Sequence, residues 1–248
     1  MIDFKTLTDR DHAAIIAHRG AGHRGRKPIS IENSPTAFDT AIRCGADAIE
    51  CDLRRTADGY IVIHHNPTLP WERTRLSAMP LAEVQARGAA CGIIIPTLED
   101  TLTICAGKIS LDLELKEPGY EPEIVSMIRR YYSLRQVLFT SFYDCAIRQI
   151  KDAAPNAMTG LLVDVQSGVP RLTTRRSEAL IRRARQSGAD LIAAHWRLAT
   201  PSFCRMMDTA GLPLFVWTVN RISTARRLIR NGVAALITDF PERFIPLD

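Results

Sequence analysis

The stretch GADAIECDLRRTADGYIVIHHNPTL, residues 45–69, decides the fold. It holds two apolar, β-rich runs, DAIECDL (47–53) and YIVIHH (60–65), separated only by RRTADG. A parallel crossover needs about a dozen residues or more, so this linker reads as a hairpin turn with Asp58-Gly59 at its tip. Side chains alternate across a strand, so Glu50 and Asp52 share a face. The hairpin returns residues 64 and 65 to about the level of residue 52, which sets His65 beside the two acids.

Outward from this hairpin, short apolar runs alternate with helical segments. Further strands are expected at 13–18, 109–116, 137–142, 159–164, 190–195, 214–219 and 234–239. Ser34-Pro35, Thr200-Pro201, Ser177 and Ser223 read as helix starts, with Gly45, Gly211, Gly188 and Gly232 after the ends. Nine strands are one too many for an eight-stranded barrel, but the return strand 60–65 lies outside the β–α alternation. The fold expected is therefore α/β: a TM-free, single-domain TIM (β/α)8 barrel over 1–248, with a β-hairpin after the second barrel strand. Residues 66–96 read as a small loop-like insertion with a short helix near 80–87. A doubly wound open sheet is the alternative, but no Gly-rich dinucleotide loop supports it.

Composition narrows the class of function. Of 248 residues, 46% are hydrophobic and 24% charged, ordinary for a chain with a real core. The opening MIDFKTLTDRDHAAIIAHRG is polar, and no run approaches the roughly 18 apolar residues of a membrane span. A cytoplasmic enzyme without stable membrane insertion is the expectation. Six cysteines show no zinc-type spacing and read as reduced core residues. The net charge of +5 suits an anionic small molecule, and Arg runs such as TTRRSEALIRRARQ read as solvated helix faces, so no nucleic acid partner is expected. Nothing in the sequence speaks to an oligomeric state.

Active sites of such barrels form at the C-terminal ends of the strands. That rim collects His18 and Arg19 from the first strand, Glu50 and Asp52 from the second, and Asp112, Glu114 and Lys116 from ISLDLELKEP. Clustered carboxylates repel unless a cation neutralises them, which points to a hard divalent ion held by oxygen. Arg and Lys beside such an ion clamp a phosphoryl group. Two imidazoles supply a general acid and base. The combination reads as phosphodiester cleavage. Each residue also has a plainer role, Lys116 pairing with Glu114 or Glu117 for example, and the argument rests on their convergence.

The motifs AHRG (17–20), residues 32–69, IPTLEDTL (95–102), LELK (113–116), VWTVN (216–220) and ITDFPE (237–242) make the chain resemble the glycerophosphodiester phosphodiesterase family. The resemblance spans nearly the whole chain. It implies a barrel, one divalent metal ion (Mg²⁺ or Ca²⁺) and a small-molecule glycerophosphodiester substrate, cleaved to glycerol 3-phosphate and an alcohol. By position it implies Glu50, Asp52 and Glu114 as metal ligands and His18 and His65 as the acid–base pair. It places Arg19, Lys116 and Glu32 at the phosphate and Trp217 at the alcohol. It also implies attack by a glycerol hydroxyl through a cyclic phosphate, with His18 as first base and His65 as first acid.

Three departures stand out. The family's PENT is IENS here, its HD is His65-Asn66, and the loop AGHRGRKPIS carries extra basic residues His23, Arg24, Arg26 and Lys27. The basic loop is expected to close over an anionic or sugar-bearing leaving group, or to be merely solvated. Competing functions are an inactive phosphodiester-binding barrel, a lysophospholipase D-like lipid enzyme, and a metal barrel that abstracts a proton beside a carboxylate.

Overall fold

All nine apolar runs form strands in the computed structural model, which describes residues 1–9, 13–21, 23, 24, 27, 28, 32–165 and 173–245. In chain order the strands are β1 (Ala14–Ala17), β2 (His23–Arg24), β3 (Lys27–Pro28), β4 (Ala48–Arg55), β5 (Ile61–Ile63) and β6 (Ser110–Leu115). They continue with β7 (Val137–Ser141), β8 (Met158–Val163), β9 (Leu191–His195), β10 (Leu214–Trp217) and β11 (Ala235–Thr238). Neighbours run β1-β11-β10-β9-β8-β7-β6-β4, all parallel, and β1 also pairs with β4. The sheet thus closes into the expected eight-stranded barrel. The return strand β5 pairs antiparallel with β4 outside the ring, with Leu53 opposite Ile63. The short pair β2–β3 lies in the basic loop. The side chains of His23, Arg24, Arg26 and Lys27 lie outside the described residues, as do residues 166–172.

The helices are α1 (Pro35–Cys44), α2 (Leu81–Ala90), α3 (Leu98–Cys105), α4 (Glu121–Ile128), α5 (Asp144–Ala153), α6 (Thr174–Ser187), α7 (Pro201–Thr209) and α8 (Ile222–Arg230). Local chemistry sets their ends. Ser34 Oγ accepts the Ala37 N–H, Pro35 opens α1, and Gly45 closes it in the left-handed region. The α6 start lies before Ser177, because the Thr173 side chain already accepts the Arg176 N–H. The insertion is better built than a loop. Its helix α2 helps cover Val62, Leu69, Leu76, Met79, Val84 and Ile95, a small separate core.

Strand alternation divides the barrel. Outward residues such as Ile49, Leu53, Leu113 and Phe139 are buried against helices. Inward residues Ile16, Ala48, Leu138, Leu162, Ala193, Phe215 and Ile237 fill the interior. Phe4 of the N-terminal 3₁₀ turn joins them, its ring 6.5 Å from that of Phe215. Each such large side chain, once buried, stabilises the fold by about 1.5–3 kcal/mol. On β4 and β6 the inward series changes character, from Ala48 and Ser110 to Glu50, Asp52, Asp112 and Glu114. The apolar filling therefore stops below the rim on one side.

All six cysteines are free; Cys51, Cys105 and Cys204 are buried, but Cys91 is exposed and not a core residue. Among the described residues no helix is long and apolar enough to cross a membrane.

Candidate active site

The site is the rim continuation of the inward series. It is a cavity of about 230 Å³ lined by His18, Arg19, Glu50, His65, Glu114, Lys116 and Trp217 among others. These seven residues, all expected from sequence, thus line one cavity, and Asp112 lines it as well. Asp52 is fully buried beneath it and touches two of its cations. Glu32 joins only through Arg19, whose Nη1 donates to Glu32 Oε1 at 2.7 Å.

The carboxylates come from register. Glu50 faces Asp112 and Asp52 faces Glu114 across β4 and β6. Ligand oxygens of Glu50, Asp52 and Glu114 lie within 4.8 Å of one another. Burial, then repulsion from Asp52 and Glu114, pushes the Glu50 carboxyl well above the usual range. Burial likewise raises Glu114, against the pull of Lys116. Burial alone would also raise Asp52, but Lys116 and Arg19 outweigh it and hold that carboxyl low. Lys116 Nζ sits 2.8 Å from Asp52 Oδ1 and 2.5 Å from Glu114 Oε1. Its own pKa rises because the two acids outweigh its burial.

Glu50 Oε1 is buried with no hydrogen-bond partner. An orphaned buried carboxylate oxygen is costly unless something positive meets it. Three hard oxygen donors this close together fit a hard divalent ion and suit no soft metal. Asp112 Oδ2 is also orphaned, while its Oδ1 accepts the Thr140 hydroxyl at 2.8 Å.

Arg19 and Asn33, which flank the segment after β1, bond to these acids. The Arg19 backbone N–H donates to Glu50 Oε2 at 2.8 Å, and its Nε lies 3.3 Å from Asp52. Asn33 Nδ2 donates to Asp52 Oδ2 at 2.7 Å. Both Arg19 and Asn33 adopt positive φ, 52° and 57°, a conformation unusual outside glycine. Gly20 follows at φ 76°, where a Cβ would stand 2.8 Å from the Ala37 backbone. Within IENS, Glu32 pairs with Arg19, Asn33 with Asp52, and Ser34 caps α1. Ile31 lies outside the described residues.

The two histidines have different partners. His18 Nδ1 is 2.6 Å from Asp239 Oδ1, and its Nε2 is 3.9 Å from Glu50. His65 Nδ1 is 2.9 Å from Asn66 Oδ1, so the residue in place of the family's Asp still orients the ring. Burial lowers the His65 pKa, with Asp52 pulling against it. The hairpin delivers His65 as expected: the His64 N–H donates to the Asp52 carbonyl at 2.9 Å. Arg54 then fixes it, Nε and Nη2 both donating to the His65 carbonyl and Nη1 to Glu117 at 2.6 Å.

The far wall is largely aromatic. Trp217 donates from Nε1 to the Ala193 carbonyl and meets Phe142 edge-on at 5.9 Å. His195 stands edge-on to the same indole at 5.4 Å. Asp164 completes this side of the cavity.

Sequence reading did not assign Asp239, Asn220, Asn33, Arg54, Glu117, Phe142 or Asp164. Parity would have found three of them, since Phe142, Asp164 and Asp239 each lie two residues beyond an inward Thr140, Leu162 or Ile237. Arg54 and Glu117 carry no such signal.

Residues 18–243 match the model of the glycerophosphoryl diester phosphodiesterase family. The chain belongs to that family. A glycerophosphodiester phosphodiesterase of Caldanaerobacter subterraneus subsp. tengcongensis is 30% identical over 243 residues, covering 91% of this chain and 95% of the relative. A putative glycerophosphodiester phosphodiesterase of Bacillus subtilis is 29% identical, covering 93% of this chain and 96% of its own. Among solved structures, a putative family member from Silicibacter pomeroyi superimposes with a TM-score of 0.81 at 25% identity, covering 97% and 95% of the two chains. A phosphodiesterase from Oleispira antarctica, solved with the product sn-glycerol-3-phosphate, shares the fold at a TM-score of 0.79 and 23% identity, covering 96% and 97%. The barrel of these structures is thus present in this chain.

Proposed function

We propose that the chain, acting as a single catalytic domain, is a metal-dependent phosphoric diester hydrolase that cleaves glycerophosphodiesters to glycerol 3-phosphate and an alcohol. The observation that carries this reading is the three-carboxylate cluster with its orphaned Glu50 oxygen, set beside Arg19, Lys116 and two imidazoles in one cavity. Glu50, Asp52 and Glu114 would hold one divalent ion, Mg²⁺ or Ca²⁺. Bound there, the ion supplies Lewis-acid polarisation of the phosphoryl group and lowers the cost of charge on the attacking oxygen.

The chain's own groups do the rest. Arg19, braced by Glu32, and Lys116 orient the phosphate oxygens. His18 Nε2 takes the proton of the attacking glycerol hydroxyl, and His65 gives one to the departing alcohol oxygen. Reversal of both roles lets water open the cyclic phosphate, returning each histidine to its starting state. Trp217 and Phe142 form the aromatic wall against which the alcohol lies.

The test is release of glycerol 3-phosphate from glycerophosphocholine, glycerophosphoethanolamine and glycerophosphoinositol, after chelation and after restoring Mg²⁺, Ca²⁺ or Mn²⁺. Turnover that returns with the ion and is lost in E50Q and H18A is expected. Absence of turnover on every diester with every ion overturns the assignment.

A further inference from the structure

We propose that Asp239, clamped by Asn220, is a positioning residue: it keeps the proton of His18 on Nδ1 and so leaves Nε2 open to act as base. The inference rests on the reading of the site given above.

A carboxylate only accepts, so at 2.6 Å the shared proton lies on the His18 side, as Nδ1–H. The neutral ring then carries its lone pair on Nε2, the nitrogen on the Glu50 side of the cavity. Asp239 is itself clamped by Asn220 at two points. Its Oδ2 accepts from Asn220 Nδ2 at 2.6 Å, and its backbone N–H donates to Asn220 Oδ1 at 3.0 Å. Thr238 Oγ1 donates to the same Asn220 oxygen at 3.2 Å. This reciprocal pair ties the ends of β10 and β11 together and aims one carboxylate oxygen at β1.

The arrangement distinguishes the two histidines. When the hydroxyl proton arrives on His18 Nε2, the imidazolium forms beside a carboxylate. His65 has the neutral Asn66 amide at its Nδ1, where His18 has a carboxylate, so a proton on that ring is held less strongly. The carboxylate-backed ring is thereby suited to take the proton, and the amide-backed ring to give one away. No co-reactant is needed; Asp239 stays ionised throughout and transfers nothing.

The experiment combines spectroscopy with a double-mutant cycle. In the resting protein, ¹⁵N spectra of the His18 ring are expected to show the Nδ1–H tautomer, lost in D239A. This readout does not require turnover, so it stands even if no diester is hydrolysed. On the diester that wild type turns over best, D239A and D239N are expected to lower kcat about 100-fold or more with KM within a few-fold. N220A should lower it about 10-fold. In an H18A background D239A should add no further loss, because it acts through His18. Cation-induced thermal shifts should be retained in D239A, separating it from loss of the metal site. An Nε2–H tautomer in wild type, kcat unchanged in D239A, or losses that multiply fully in H18A/D239A would each overturn the proposal.

Discussion

Asp52 on β4 and Glu114 on β6 are direct partners in the parallel register, and the Lys116 ammonium bridges them. One buried cation thus faces two acids, while Glu50 has no side-chain cation within hydrogen-bonding distance among the described residues and keeps an orphaned oxygen. Beyond Lys116 and Arg19 the cluster leaves room for a further positive charge at Glu50, and the first prediction follows from that shortage.

Replacing Glu50 by Gln keeps an acceptor for the Arg19 N–H but removes a buried charge whose pKa burial has raised. At pH 8, chelated E50Q should be more stable than chelated wild type by about 1–4 kcal/mol, several degrees in melting temperature. A divalent ion should raise the melting point of wild type but not of E50Q, and activity should fall on the order of 10²–10³-fold. Differential scanning fluorimetry with and without ion decides it; equal ion-induced shifts in both proteins would remove Glu50 from the ligand set.

Asp112 supplies a pH dependence. Burial pushes its carboxyl up to about 7. A carboxyl whose folded pKa exceeds its unfolded value binds its proton more tightly when folded. Its contribution is complete below the unfolded value near ~4 and is lost as pH rises through about 7. Chelated wild type should therefore lose stability across that window, by up to a few kcal/mol. D112N, which cannot ionise, should lack this component and be the more stable protein at pH 8. Urea midpoints at several pH values test it, and parallel curves for the two proteins would contradict it.

Arg54 holds His65 by its carbonyl rather than by its ring. R54K keeps the charge but loses the planar fork. It should lower kcat about 10-fold and cost about 1–3 kcal/mol of stability. E117Q, which weakens the anchor of that guanidinium, should show a smaller change in the same direction. Steady-state kinetics beside denaturation curves would show it; R54K with wild-type kcat would mean the hairpin alone fixes His65.

Gly20 lets the loop after His18 pass against α1. In G20A the new methyl meets the Ala37 backbone at 2.8 Å from a residue at φ 76°. Overpacking and the left-handed conformation together should cost about 2–4 kcal/mol. Because the neighbouring Arg19 amide is bonded to Glu50, activity should drop as well. A wild-type urea midpoint for G20A would show that α1 yields without cost.

Local rules carried the sequence reading a long way. Short apolar, β-rich runs marked every barrel strand, and the short link with Asp58-Gly59 marked the hairpin, because local apolar content and turn length are properties of consecutive residues. Along 47–53 and 109–116 strand parity is local too. That parity placed Glu50 with Asp52, and Glu114 with Lys116, on the face that lines the site. Closure of the sheet, by contrast, depends on β1 meeting both β4 and β11, segments at opposite ends of the chain. Only that closure sets Asp239 against His18, 221 positions apart, and only the β4–β6 register sets Glu117 within reach of Arg54. Side-chain alternation is written residue by residue. Which carboxylate backs which imidazole is fixed by how separate strands stagger in the barrel, and no short stretch of sequence contains that.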